Sequence, residues 1–247
     1  MSTDRRVVYA LPSANPEMAA KHLPNWVAMG YRVIVGQDRV RYAPPAGVEV
    51  FDLGPRYLGY ARSVSLLIAS AVPRDAPVVV FGGDDMDPDP VRSAQQIAEE
   101  YLGRFPRLDG ILQPVGDDMP GTRRICGSPW VGRAWLDFAN NGAGPLFPGY
   151  FHFFGDEELF DVASAAGVLW QREDLRQRHD HWTRRGLSAD QAAPIHAPLQ
   201  ARWEDDKRLY LGRRAALYPG ALPPSLLPVV DWRRLPDSMS APRPVGA

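Results

Sequence analysis

The sequence has very little cysteine: Cys126 is the one cysteine among 247 residues. A single thiol cannot form an internal disulfide, and it cannot supply the several thiolates of a structural zinc site. Long apolar runs are also missing, since none approaches the roughly 20 residues that cross a bilayer, and the first residues lack the apolar segment of a signal peptide. We therefore expect a cytoplasmic protein without a membrane span.

An excess of charge of either sign is absent too. The formal net charge is -1, which implies no overall electrostatic attraction to nucleic acids or to anionic membranes. Lysine is rare, with Lys21 and Lys207 the only two, so the positive charge is almost entirely arginine. The composition is otherwise that of a globular protein, with 45% hydrophobic residues and a chain long enough to bury a substantial core.

Strand and helix patterns alternate over the first half of the chain. The runs "RRVVYAL", "YRVIVG", "VEVFDLG", "APVVVF" and "GILQPV" predict strands, and apolar residues at helical spacing lie between most of them. Asn15 as N-cap, Pro16 at the first position and Gly30 past the end predict the first helix, in which Pro24 predicts a kink or a division into two short helices. The alternation predicts an α/β fold with a Rossmann-like, mostly parallel wound sheet flanked by helices.

After residue 120 the pattern changes. We predict a short helix and a loop over 127–149, a strand over "YFHFF" at 150–154, a helix over "DEELFDVASAA" and a final short strand over "VLW". From residue 171 the chain is charged and is predicted to be largely helical. We expect 1–170 to form one domain, 171–237 to be its helical C-terminal extension, and 238–247 to be a disordered tail.

Four aspartates crowd the stretch "FGGDDMDPDP" at 81–90, directly behind an apolar strand. Ligands of wound α/β sheets bind beyond the carboxyl ends of the strands. Asp85 and Asp87 are two residues apart, so in extended backbone both carboxylates could face one divalent cation. The alternative is a turn in which the carboxylates cap a helix that begins near Val91.

Two further clusters carry titratable groups. Asp156, Glu157 and Glu158 open a predicted helix, where they could include a general base or could be acids stabilised by the helix dipole. His179 and His181 flank an aspartate in "RHDHW". They could be ligands that complete a metal site, or they could belong to a solvated loop. His22 and His152 have no such neighbours in the sequence, and we interpret both as structural.

The segments "DDMD", "GDEEL" and "HDHW", in this order on this strand pattern, resemble the motifs of inverting, DxD-containing glycosyltransferases of the GT-A fold. The resemblance implies a nucleoside diphosphate sugar as donor, a hydroxyl acceptor, and Mn²⁺ or Mg²⁺ as cofactor. It implies that residues 1–170 bind the nucleotide sugar and the acceptor, which could be a carbohydrate, a small molecule or a modified DNA base. The residues that it assigns to the cation are Asp85, Asp87, His179 and His181, and those that it assigns to the base are Asp156 or Glu157.

The same resemblance implies a set of nucleotide-binding residues: Leu11, Pro12, Ser13, Asp38, Arg62, Asp84 and Asp85. Asp84 and Asp85 both fit the first position of the DxD motif. The C-terminal stretch, with Asp206, Tyr210 and Arg213, is also similar to small glycosyltransferase-like proteins of phages and actinobacteria, which implies a bacterial or phage-infected host cytoplasm. Two other functions fit the pattern: a non-catalytic GT-A-like binding or phage accessory protein, and a nucleotidyltransferase of similar topology.

Overall fold

The computed structural model describes residues 7–119, 121–186 and 199–236. Within them, seven strands form one sheet in the order β3-β2-β1-β4-β7-β6-β8, and β5 and β9 form a separate two-stranded sheet. All neighbours in the large sheet are parallel except β7, which runs antiparallel to β4 and β6. The strands are β1 (Val7–Ser13), β2 (Arg32–Asp38), β3 (Val48–Gly54), β4 (Val78–Phe81), β5 (Met86–Asp87), β6 (Ile111–Pro114), β7 (Trp130–Gly132), β8 (Leu169–Arg172) and β9 (Arg178–His179).

Helices flank the sheet, so the predicted α/β, Rossmann-like class is confirmed. They are α1 (Pro16–Ala28), α2 (Tyr60–Ala71), α3 (Ala94–Arg104), α4 (Arg133–Gly142), α5 (Gly155–Ala165) and, near the C-terminus, α6 (Trp203–Ala215). Short 3₁₀ helices cover Thr122–Arg124, Pro224–Leu226 and Trp232–Arg234. Of the helices in the described ranges, none has the length and apolar character to cross a membrane.

The first helix follows its sequence signals. The Asn15 side chain accepts a hydrogen bond from the Met18 amide at 3.2 Å, and Pro16 occupies the first turn, where its missing N–H costs no hydrogen bond. Pro24 lies inside α1 without dividing it, so the alternative of two short helices is wrong.

Both faces of the sheet are covered, which explains why its central strands are apolar throughout. Along β1, Val8 and Ala10 pack on one side with α2 and α5, whereas Val7, Tyr9 and Leu11 pack on the other with α1 and α3. The continuous "VVVF" of β4 is buried in the same way.

The order of the strands changes direction beside β1. The chain builds outward from β1 to β2 and β3, then returns across β1 to form β4 on its other side. The carboxyl ends of β1 and β4 therefore lie at a topological switch point, which is where ligands of open α/β sheets bind. Ser13 ends β1, and the aspartate-rich stretch follows Phe81 at the end of β4.

The strand predicted over "YFHFF" is wrong. Residues 151–154 form a series of bends, because the Asp206 carboxylate on α6 takes up the backbone N–H groups that a neighbouring strand would need. Phe151, His152 and Phe153 each donate to it at 2.9 Å. The next residue, Phe154, has a left-handed φ of 67°, which ends any extended run.

Three further expectations need correction. The helix expected near Val91 begins at Ala94, after the Ser93 cap, and Val91 is 82% exposed. Strand β7 was not predicted, although the helix after it, α4, was. Residues 171–182 contain the end of strand β8 and all of β9 rather than helix. The division into a domain and an extension stays a prediction, and the tail at 238–247 lies outside the described residues.

Candidate functional site

The aspartate stretch and the late histidine stretch, far apart in sequence, are adjacent in space. Strand β5 pairs antiparallel with β9, so that Met86 lies opposite His179 and Asp87 opposite Arg178. The Asp180 amide also donates to the Asp85 carbonyl at 2.7 Å. The two-stranded sheet therefore places both segments beside the switch point.

Asp85 and His179 form a carboxylate–imidazole pair. His179 Nε2 lies 3.1 Å from Asp85 Oδ2, and the side chains are 34% and 26% exposed respectively, so the pair is open to a ligand. Burial raises the pKa of Asp85, but the hydrogen bond with His179, nearby positive charge and a backbone hydrogen bond together outweigh it, and the pKa lies below its usual value. The carboxylate is therefore ionised at neutral pH.

Asp87 faces in another direction, towards α1. Its Oδ1 accepts from Asn25 Nδ2 at 2.9 Å and lies 2.9 Å from His22 Nδ1. Burial raises the pKa of Asp87, but the hydrogen bonds from His22 and Asn25, together with nearby positive charge, outweigh that effect and bring the pKa below its usual value. The carboxylates of Asp85 and Asp87 thus have different partners on different elements.

His181 lies close to the pair without joining it. Its ring centroid is 5.2 Å from that of His179, and its Nδ1 is 2.8 Å from the Thr183 hydroxyl. Among the residues that the structure describes, no three His, Cys, Asp or Glu side chains converge as a ready-made metal centre. Of the four predicted metal ligands, the structure brings Asp85 and His179 into direct contact.

The Ser13 hydroxyl joins the two strands at the switch point. It donates to Asp84 Oδ2 at 2.5 Å and accepts from the Tyr42 hydroxyl at 2.8 Å. Burial raises the pKa of Asp84 to about 6, against the lowering effect of the Ser13 hydrogen bond and with a further increase from the charge of Asp85. Asp84 is thus a carboxyl group that titrates close to neutral pH.

Asp84→Asn is expected to stabilise the cation-free protein at alkaline pH. The pKa of Asp84 is about 6 in the folded protein and 3.8 in the unfolded chain. Its protonation therefore stabilises the fold in full below about pH 4, and this stabilisation is lost as the pH rises through 6. Asparagine retains an oxygen for the Ser13 hydroxyl and carries no charge. We expect a gain of about 1–3 kcal/mol in the free energy of unfolding at pH 8 and little change at pH 4.

The measurement is urea denaturation in chelator at both pH values. Asp205→Asn, on the exposed surface of α6, is the control and should change the free energy of unfolding by less than about 0.5 kcal/mol at each pH. Equal stability of Asp84→Asn and the wild type at pH 8 would contradict the prediction.

The other predicted nucleotide-binding residues lie at or near the same edge with varied exposure. Leu11 is fully buried in the core, whereas Pro12 is partly exposed. Asp38, at the end of β2, is 1% exposed and is paired with Arg39 Nε at 2.8 Å. Arg62 is exposed, and its Nε donates to the Pro148 carbonyl at 2.8 Å. The Leu11 side chain therefore has no surface to offer a ligand.

Of the two residues predicted as base, Asp156 is the more accessible. It is partly exposed in the first turn of α5, whereas Glu157 is 3% exposed. Burial raises the pKa of the Tyr60 hydroxyl, and the charges of Asp156 and Asp85 raise it further. Tyr60 therefore lies in the field of both acidic motifs, which indicates that they border one region.

The third acid of that motif, Glu158, belongs to the interface between α5 and α6. It is 3% exposed, and it accepts from Arg213 Nε at 2.7 Å, Arg213 Nη2 at 2.6 Å and the Tyr150 hydroxyl at 2.7 Å. One turn later, Asp161 accepts from the Tyr210 hydroxyl at 2.8 Å. Part of the acidic motif is thus explained by ion pairing with the C-terminal helix.

Sequence reasoning missed the groups on α1 that contact the aspartate stretch. Besides His22 and Asn25, Trp26 donates from Nε1 to the Met86 carbonyl at 2.6 Å. These three residues stand at positions i, i+3 and i+4, so their shared helix face was readable from the sequence. His22, interpreted from the sequence as structural, thus contacts the Asp87 carboxylate of the candidate site.

A second missed pair holds the backbone of His179. The Asp117 carboxylate accepts from the His179 amide at 3.1 Å, and Arg184 Nη1 donates to the His179 carbonyl at 3.1 Å and to Asp117 Oδ1 at 2.8 Å. The sequence pattern that could have indicated Asp117 is the "GDD" after β6, which repeats the "GDD" after β4 at the same edge of the sheet.

Fold and site together define an α/β protein with a Rossmann-like sheet and an acidic, histidine-bearing site at the carboxyl ends of its strands. No protein-family model matches the chain, and no curated protein matches it. Among solved structures, the chain is similar to A197 from STIV at a TM-score of 0.46 and 13% identity, over 71% of this chain and 86% of that one. A likeness of that degree supports no functional conclusion.

Proposed function

We propose that this protein is a glycosyltransferase that moves a sugar from a nucleoside diphosphate donor to a hydroxyl acceptor with the help of Mn²⁺ or Mg²⁺. The observation that carries the proposal is the pairing of Asp85 with His179 at 3.1 Å beside the switch point. The order of the three sequence motifs, which resembles that of GT-A glycosyltransferases, supports the same function.

The residues present fit a cation that arrives with its substrate. A Mg²⁺ ion bound to phosphates needs only one or two carboxylate ligands from the protein, and imidazole is also a ligand for Mn²⁺. Asp85 Oδ2 and His179 Nε2 already face each other, and Asp87 and His181 are the further candidate ligands. When bound, the cation would neutralise the diphosphate and stabilise the leaving group.

The protein's own side chains would perform the other steps. Ser13 and Asp84 offer polar groups to the nucleoside at the switch point, with Asp38 at the end of the adjacent strand. Asp156 would accept the proton of the acceptor hydroxyl, and Glu157 is the alternative base. Direct attack by that hydroxyl on the anomeric carbon would invert its configuration. The acceptor is a hydroxyl of a carbohydrate, a small molecule or a modified DNA base.

A thermal-shift screen tests the proposal directly. Purified protein is heated with UDP-, GDP- and dTDP-sugars, each with and without Mn²⁺ or Mg²⁺. We expect stabilisation by one nucleotide class only when the cation is present, of about 2–4 kcal/mol at 100 to 1,000 times the dissociation constant. The hit is then assayed for release of the nucleoside diphosphate.

The alternatives give other results in the same assays. Pyrophosphate in place of the nucleoside diphosphate would indicate a nucleotidyltransferase. Stabilisation without turnover of any acceptor class would indicate a binding or phage accessory protein. No stabilisation by any donor, with either cation, would contradict the proposal.

A further inference from the structure

His22 is a deeply buried titratable side chain in contact with the candidate site. It is 1% exposed, and both of its ring nitrogens face carboxylates. Nδ1 is 2.9 Å from Asp87 Oδ1, and because an ionised carboxylate can only accept, Nδ1 is the donor. Nε2 is 3.3 Å from Asp180 Oδ2, a close contact whose geometry falls outside that of a hydrogen bond.

These contacts close a ring through three elements. From His22 on α1 the ring runs to Asp87 on β5, along the chain to Asp85, across the hydrogen bond to the Asp180 amide, and back to His22 through the Asp180 carboxylate. The Asp180 carboxylate also forms an ion pair with Lys21, whose Nζ lies 2.5 Å from Asp180 Oδ2. The two-stranded sheet that joins Asp85 to His179 has only two residue pairs of its own, so these side chains supply much of its support.

We propose that His22 is a positioning residue, which holds β5 against β9 and so keeps Asp85 within reach of His179. The inference rests on the proposed function for its catalytic meaning, since Asp85 and His179 are the proposed cation ligands. It assigns no contact between His22 and the substrate.

Two amide variants distinguish the roles of the two ring nitrogens of His22. The Asn side-chain nitrogen is attached at Cγ, as His Nδ1 is, so His22→Asn retains a donor for Asp87. The Gln nitrogen lies one bond further out, close to the place of Nε2, so His22→Gln loses that donor. His22→Leu removes both polar contacts.

The first readout is hydrogen exchange of the peptides that cover 84–89 and 177–182, which needs no cation. We expect exchange to be at least about tenfold faster in both peptides in His22→Leu and His22→Gln, and within about threefold of the wild type in His22→Asn. The second readout is Mn²⁺ affinity, which should fall by about 10- to 100-fold in the first two variants and little in His22→Asn.

Leu23→Ala is the matched control, because Leu23 is a fully buried neighbour on the same helix without a polar contact to the site. Leu23→Ala should lower global stability, but it should not change how fast the two peptides exchange relative to the rest of the protein. The inference is overturned if Leu23→Ala accelerates the two peptides as selectively as His22→Leu does, or if His22→Gln matches the wild type. If the wild type binds Mn²⁺ neither alone nor together with a UDP-, GDP- or dTDP-sugar, the proposed function fails, and the exchange data still decide the role of His22.

Discussion

Asp85→Asn is expected to lower turnover of the sugar donor by about a hundred- to a thousandfold without unfolding the protein. The Asp85 carboxylate is ionised, partly exposed and in contact with His179. Asparagine has almost the same shape and can still accept from the imidazole, but it lacks the charge that balances a divalent cation. The loss should therefore appear in kcat and in Mn²⁺ affinity, with little change in the thermal midpoint of the cation-free protein.

The measurement is release of the nucleoside diphosphate under saturating donor, with a Mn²⁺ titration for each variant. Asp205→Asn, remote in the sequence and exposed on α6, serves as the control and should keep wild-type turnover. A double-mutant cycle with His179→Ala adds a second criterion: if the two side chains act on one cation, the double variant should lose far less than the product of the single losses. Wild-type turnover in Asp85→Asn would rule out the proposed cation site.

Glu158→Ala is expected to lower the free energy of unfolding by about 3–5 kcal/mol, because it leaves a buried cation without its partner. The Arg213 guanidinium is bound by both Glu158 oxygens and lies 3.5 Å from the centroid of the Phe147 ring. The Tyr150 hydroxyl loses its acceptor in the same variant. Urea denaturation followed by circular dichroism measures the loss.

Asp205→Ala is the matched control on the same helix as Arg213. Within the described part of the chain, the ion pairs of Asp205 are exposed, at 3.7 and 3.9 Å, so its loss should cost less than about 0.5 kcal/mol. The double variant Glu158→Leu with Arg213→Leu should recover part of the lost stability, because no lone charge remains buried. A change of less than 1 kcal/mol in Glu158→Ala would contradict the structural role assigned to this ion pair.

Much of the fold was readable from the sequence because its signals are local. The β-branched run of β4 and the alternation of strands with helices depend on neighbouring residues, and so does the Asn15 cap of α1. The position of the candidate site followed from one general rule, that ligands of wound sheets bind at the carboxyl ends of the strands. The alternative given for the aspartate stretch, a turn with carboxylate caps, describes its last part: Asp89 accepts hydrogen bonds from the amides of Val91 and Arg92 at 2.9 and 2.8 Å.

What was missed depends on partners distant in the chain. The "YFHFF" segment has the composition of a strand, but its amides bond to Asp206, more than 50 residues later. Strand β7 is only three residues long and is stabilised by pairing between β4 and β6. Neither competition between a strand and a carboxylate, nor pairing of so short a strand, leaves a periodic pattern in the sequence.

The sequence by itself therefore determined the class of fold, the boundaries of its first helix and central strands, and the edge of the sheet that bears the acidic groups. It did so because hydrophobic periodicity and capping act over a few residues. Only the tertiary structure decided which acid has which partner: Asp85 with His179, Asp87 with His22, and Glu158 with Arg213, at sequence separations of 94, 65 and 55 residues. A carboxylate has the same chemistry at each of these positions, and its role follows from the cation or donor that the folded chain brings to it.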